Sequence, residues 1–154
     1  NMKFMMNGAL TLGTLDGANV EIDELVGRDY DVIFGMTVSE VEALRQGGYD
    51  VWEAVKDNPP LKRVIESLID TSWHPNRDEF KAIYDELMYR NDEYFLIADF
   101  DSYVEAQQEV QMRYANQKYW AEMCLVNISK SGFFSSDRTI SQYASEIWNI
   151  KPIN

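Results

Sequence analysis

Apolar positions along the chain follow two different periods. Two short apolar runs that end at glycines, "GALTLG" (Gly8 to Gly13) and "YDVIFG" (Tyr30 to Gly35), have the length and side-chain types of buried strands. Between them, "DGANVEIDELVG" sets Ala18, Ile22, Leu25 and Val26 on one helical face, with Asp16 at a capping position and Gly27 just past the end. Strand, helix and strand at this spacing predict a βαβ unit and therefore a parallel sheet.

From that point the pattern is helical. Thr37 and Glu40 have capping-box spacing before "VSEVEALRQ", which Gly47 closes, and Asp50 and Glu53 repeat it before "VWEAVKD". "NPP" (58–60) interrupts the chain. Leu61, Val64, Ile65, Leu68 and Ile69 then form one stripe, and Phe80, Ile83, Tyr84, Leu87 and Met88 form another. After Asp101 a helix is predicted with Tyr103, Gln107, Val110 and Tyr114 along one side. Asn116 is placed to cap a helix carrying Trp120, Met123, Cys124 and Ile128, which ends near Gly132. Ser136 starts a last one whose Ile140, Tyr143, Ala144, Ile147 and Trp148 face one way. There is no internal repeat, low-complexity tract or linker. Two short parallel strands leave most of their ladder groups without partners, and a parallel sheet is normally buried on both faces. The chain is therefore expected to be the tail of a larger α/β domain.

Composition narrows the classes of partner. A net charge of −12 over 154 residues gives no clustered Lys and Arg for phosphates, which argues against nucleic acid and against an anionic membrane surface. No stretch approaches a membrane span. The single cysteine, Cys124, cannot form an internal disulfide, so a reducing, cytoplasmic location is expected.

Few side chains suggest chemistry. Lys3 sits among Met2, Phe4, Met5 and Met6. Apolar surroundings favour the neutral amine, which can form a Schiff base with an aldehyde, but a lysine that snorkels over a methionine surface gives the same pattern. Asp16, Asn19 and Glu21 lack the spacing of a calcium loop. His74, the only histidine, stands beside Pro75 with no second metal-ligating partner. Cys124 reads as a small core hydrophobe. The glycines of "GTLDGAN" could cradle a phosphate before a helix, although packing explains them more simply. Asp137 and Arg138 in "SSDRTI" read as a capped helix start.

Taken whole, "NMKFMMNGALTLGTLDGANVEI" resembles the pyridoxal-phosphate region of the α-glucan phosphorylases, the glycogen, starch and maltodextrin enzymes. Their signature ends in Met-Lys, two residues, Leu or Met, then Asn, matched here by Met2, Lys3, Phe4, Met5, Met6 and Asn7. The resemblance continues through "FGMTVSEVEALRQGGY" and "FSSDRTISQYASEIW" and so spans essentially the whole chain. It implies that Lys3 carries pyridoxal 5'-phosphate as a Schiff base, with its Met and Phe neighbours keeping water from that bond. It also implies an α/β fold: residues 1–154 would be the C-terminal, mostly helical part of a Rossmann-like domain in a two-domain GT-B-type glycosyltransferase, with about two short parallel strands.

The implied reaction is phosphorolysis of the terminal α-1,4 bond of a glucan, with inorganic phosphate, to glucose 1-phosphate. The implied parent is a cytoplasmic homodimer, and a segment of this length alone is expected to be inactive. Regulation and the dimer contacts would lie mainly outside it. The Glu-Ala-Ser-Gly-x-Gly run that precedes Met-Lys in the family is not in this chain, so Lys3 is the one site residue carried over. No catalytic residue and no metal ligand is. Asp16 and Asn19 match the family's Asp-Gly-Ala-Asn turn without an assigned role. The competing expectation is an acidic helical interaction module with no catalysis of its own.

Overall fold

A computed structural model describes residues 1–70, 75 and 77–151. The chain divides into two units, Phe34–Glu105 and a discontinuous one formed by Asn1–Ile33 with the chain from Ala106 onward.

The discontinuous unit contains α1 (Met2–Met6), β1 (Leu12–Thr14), α2 (Ala18–Val26) and the start of β2 (Val32–Phe34). The later part of α7 (Phe100–Ala115), α8 (Gln117–Lys130), a 3-10 turn (Ser131–Phe134) and α9 (Ser136–Gln142) complete it, α9 continuing as π-helix over Tyr143–Ile147. The strands β1 and β2 pair in parallel, and Val32 N donates to Thr11 O at 2.9 Å. Both are shorter than the sequence runs suggest. Asp16 does not cap α2: the residue before the helix is Gly17, at a φ of 48°, and no side chain bonds the first turn. The Asp16 backbone carbonyl accepts from Asn19 N instead, at 3.0 Å.

Met5, Ile22 and Val26 form the core of this unit, with Leu25, Tyr30, Val126 and Phe134 against them. The segment entering β2 is held by side chains far along the chain. Arg113 of α7 donates to the backbone carbonyls of Arg28, Asp29 and Asp31 at 3.3, 3.1 and 2.9 Å. Asn127 of α8, fully buried, donates to Tyr30 O at 2.8 Å. The inward side of α7 here runs through Ala106, Val110 and Arg113, so the predicted Tyr103–Gln107–Val110–Tyr114 face is rotated from the observed one. Asn116 caps α8 as expected, its Oδ1 accepting from Tyr119 N at 3.2 Å. Ser135, one residue before the predicted start, caps α9.

The second unit contains α3 (Val38–Gly47), α4 (Val51–Lys56), α5 (Pro59–Ser67), α6 (Arg77–Met88) and the first residues of α7. Its core joins Val51, Val55, Leu61, Ile65, Met88 and Ile97. The Thr37–Glu40 capping box of α3 is present in both halves, and the left-handed residue closing that helix is Gly48 rather than Gly47. Asp50 caps α4 through Trp52 N at 2.9 Å, but Glu53 turns to Lys56 instead of completing a box. "NPP" starts a helix: Asn58 Oδ1 accepts from Leu61 N at 3.1 Å, and Pro59 occupies the first turn, where its missing N–H is not needed. Between α6 and α7, buried Asp92 accepts from Leu96 N at 3.0 Å, Ile97 N at 2.7 Å and the Tyr49 hydroxyl at 3.3 Å. Burial and this carboxylate push the Tyr49 phenol well above its ordinary value. Asn91 ties Val51 N and Tyr49 O to the same loop. Among the described residues, no helix is long and apolar enough to cross a membrane.

Candidate cofactor site

Lys3 is the second residue of α1. A five-residue helix has too few internal hydrogen bonds to persist on its own, so contacts outside it must fix its direction. Met5, 1% exposed, anchors its inner side against Ile22 and Val26 of α2. Asn7 Nδ2 donates to Lys3 O at 2.8 Å, and Ala9 N donates to Phe4 O at 3.0 Å, which closes the helix into a turn. That turn needs Gly8: its φ is 79°, and a Cβ there would lie 3.2 Å from Ile128 Cδ1 and 3.4 Å from Cys124 Cβ of α8. Half-buried Cys124 is therefore a packing surface for the turn.

At its start, α1 is tied to α2. Asn1 Nδ2 donates to Asn19 Oδ1 at 2.5 Å, and Asn19 Nδ2 donates to Thr14 O at 2.9 Å. A Cβ on Gly13 would sit 2.6 Å from Asn19 Nδ2. The space beside Gly13 is thus filled by the Asn19 carboxamide, which makes Gly13 a packing glycine, whereas Gly17 supplies a positive φ. Beside α1 lies an open cleft of about 180 Å³ lined by Asn1, Phe4, Ala9 to Leu12 and Asn19.

Lys3 is exposed, and its ammonium has no ion-pair or hydrogen-bond partner among the described residues. An unpaired, accessible side chain leaves room for a carbonyl compound to approach, so the position of the residue is compatible with the covalent role that the sequence suggests. The apolar shell does not follow from this segment: Met2, Phe4 and Met6 are 41, 71 and 62% exposed. Only Met5 of that greasy group is spent on the core. What this chain offers a pyridoxal cofactor is the amine and its orientation.

The other candidates have local roles. Arg138 lies over the Phe133 ring at 4.0 Å and bonds Phe133 O and Gln142, which agrees with a structural helix start. His74 lies outside the described residues. Among those described, no three His, Cys, Asp or Glu side chains converge as a metal site would require. Sequence reasoning missed Asn19 because its partners, Asn1 and the Thr14 carbonyl, come together only when α1 docks on α2. The one clue was the match of Asp16 and Asn19 to a family turn.

Comparison with known proteins places the sequence in a family. The family model described as carbohydrate phosphorylase matches residues 1–150. The glycogen phosphorylase of Bacillus subtilis (strain 168) is 48% identical over 154 residues, covering 99% of this chain and 19% of that protein. That of Synechocystis sp. is 46% identical over 155 residues, and the muscle form of human glycogen phosphorylase is 47% identical over 153, each covering 99% of this chain and 18% of the relative. The chain thus spans about a fifth of the length of these relatives. Residues 1–154 belong to the carbohydrate phosphorylase family.

Proposed function

We propose that this chain is the C-terminal part of the cofactor-carrying, Rossmann-like domain of a GT-B-type α-glucan phosphorylase, with Lys3 as the residue that binds pyridoxal 5'-phosphate covalently. The intact enzyme would cleave terminal α-1,4 bonds of a glucan with inorganic phosphate to give glucose 1-phosphate. It would work as a cytoplasmic homodimer. The observation that carries this reading is the exposed, unpaired Lys3 amine on a docked helix, inside a segment that aligns with glycogen phosphorylases along 99% of its length.

The residues divide the work simply. When bound, the cofactor supplies a phosphate monoester whose second pKa, about 6, suits proton exchange with substrate phosphate near neutral pH. Lys3 fixes the other end of the cofactor. Met5, Asn1 and Gly8 hold the helix that presents it. Groups that grip the cofactor phosphate and the glucan belong to parts of the enzyme outside these residues, so the segment alone is expected to be inactive.

Borohydride reduction of the intact enzyme should fix the cofactor on the peptide containing Lys3. Lys3→Ala should abolish both the adduct and phosphorolysis. An adduct on another lysine, or phosphorolysis that survives the substitution, would overturn the assignment.

A further inference from the structure

Asn19 is 8% exposed, and both polar atoms of its carboxamide are engaged: Oδ1 accepts from Asn1 Nδ2 at 2.5 Å and Nδ2 donates to Thr14 O at 2.9 Å. It begins the face of α2 that continues through Ile22 and Val26, and Met5 of α1 packs on those two residues. Helix α1 therefore meets one face of α2 at two places, a polar one at its start and an apolar one a turn later. The apolar contact fixes depth, because Met5 is buried against Ile22 and Val26, but a flexible methionine does little to fix direction. The polar contact fixes direction, because a hydrogen bond weakens steeply when its angle or length departs from ideal. Asn1 makes no side-chain cap of its own helix, which leaves its amide for Asn19. Gly13 is the third part of the arrangement, since any side chain there would displace the Asn19 amide.

We propose that Asn19 is a positioning residue for Lys3: through Asn1 it sets the azimuth of α1, and so the place at which the Lys3 amine meets the cofactor. This rests on the assignment of Lys3 above. Asn19 acts through Asn1, since both of its polar atoms are bonded to protein groups.

The test uses the intact enzyme and the variants Asn19→Ala, Asn1→Ala and the double substitution. Asn1 is not among the core residues of this unit, so Asn1→Ala removes the bond without changing that core. Either single variant should release the cofactor roughly two- to tenfold faster, the range expected for one net hydrogen bond. The double variant should be little worse than the poorer single one, because both remove the same link. The pH titration of the cofactor's absorbance should shift in all three, and Asn19→Gln or Asn19→Asp should not restore it, since neither keeps both the reach and the donor–acceptor pair. Unchanged release in Asn1→Ala, additive losses, or a lowered melting temperature in Asn19→Ala with an unmoved absorbance titration would each overturn the proposal. In wild type, borohydride labelling of a lysine other than Lys3 would overturn the assignment beneath it, a result separable from all of these.

Discussion

Burial of Asp31 removes water from a carboxylate that no donor replaces. The residue has no exposed surface, and neither of its carboxyl oxygens accepts a hydrogen bond. Burial, with the Asp23 carboxylate alongside, raises its pKa from 3.8 to about 6, against the opposing pull of Arg28 and Arg113. Between pH 3.8 and about 6 the folded state therefore holds a proton that the unfolded chain has released. Its contribution to stability is full below pH 3.8 and is lost as the pH rises through about 6. Asp31→Asn should raise the melting temperature at pH 7.5 and have little effect at pH 4, with about 1–3 kcal/mol at stake at the higher pH. A wild-type melting temperature that climbs between pH 4 and 7 relative to the variant would contradict this. Gly13→Ala should likewise destabilise the first unit by about 1–3 kcal/mol, because the new methyl meets the Asn19 amide, and denaturant titration would read it. At this scale the sequence reveals local bonds and hides distant ones. Thr37 with Glu40, and Asn116 with Tyr119, are three residues apart and readable. Arg113 reaches Asp31 O across 82 positions and Asn127 reaches Tyr30 O across 97, so neither role has a trace in the spacing.

Among elements, helix existence followed from pattern while faces and ends followed from context. The stripe of α5 buries Leu61 and Ile65 but leaves Val64 exposed, because a helix at the edge of a small core covers only a narrow arc. "NPP" misled for a different reason: proline stops a helix from within but suits its first turn, and Asn58 before it makes the start explicit. Asn58→Ala should cost about 1 kcal/mol of stability, detectable as faster hydrogen exchange across α5. The loop between α6 and α7 was not legible at all. Its order comes from Asp92 and Asn91, which sit at φ values of 47° and 58° and bind backbone groups on both sides. Asp92→Ala strands the buried Ile97 N–H and the partly buried Leu96 N–H, and should destabilise the second unit more than the loss of any single cap does. Equal effects of Asp92→Ala and Asn58→Ala on denaturation would argue against that ranking.

For the whole molecule, the α/β character and helical excess were foreseen, as was the family. The Rossmann-like assignment rests on the family resemblance, because a sheet of two short strands does not by itself define that fold. Ile140, Tyr143, Ile147 and Trp148, predicted to face one way, are all at least 43% exposed, so the end of the chain presents an apolar stripe. Prepared alone, residues 1–154 should self-associate through such surfaces; sedimentation as a stable monomer at high concentration would refute this. The discontinuity of the first unit also bears on the order of synthesis. Phe34–Glu105 is contiguous and can collapse as soon as it leaves the ribosome, through contacts of short sequence separation. Asn1–Ile33 cannot, because Arg113 and Asn127, which hold its final residues, have yet to be made. Within this segment, the helix that carries Lys3 is thus translated before the residues that hold it, and α1 finds its place only once Cys124 and Ile128 of α8, against which its turn packs, have been made.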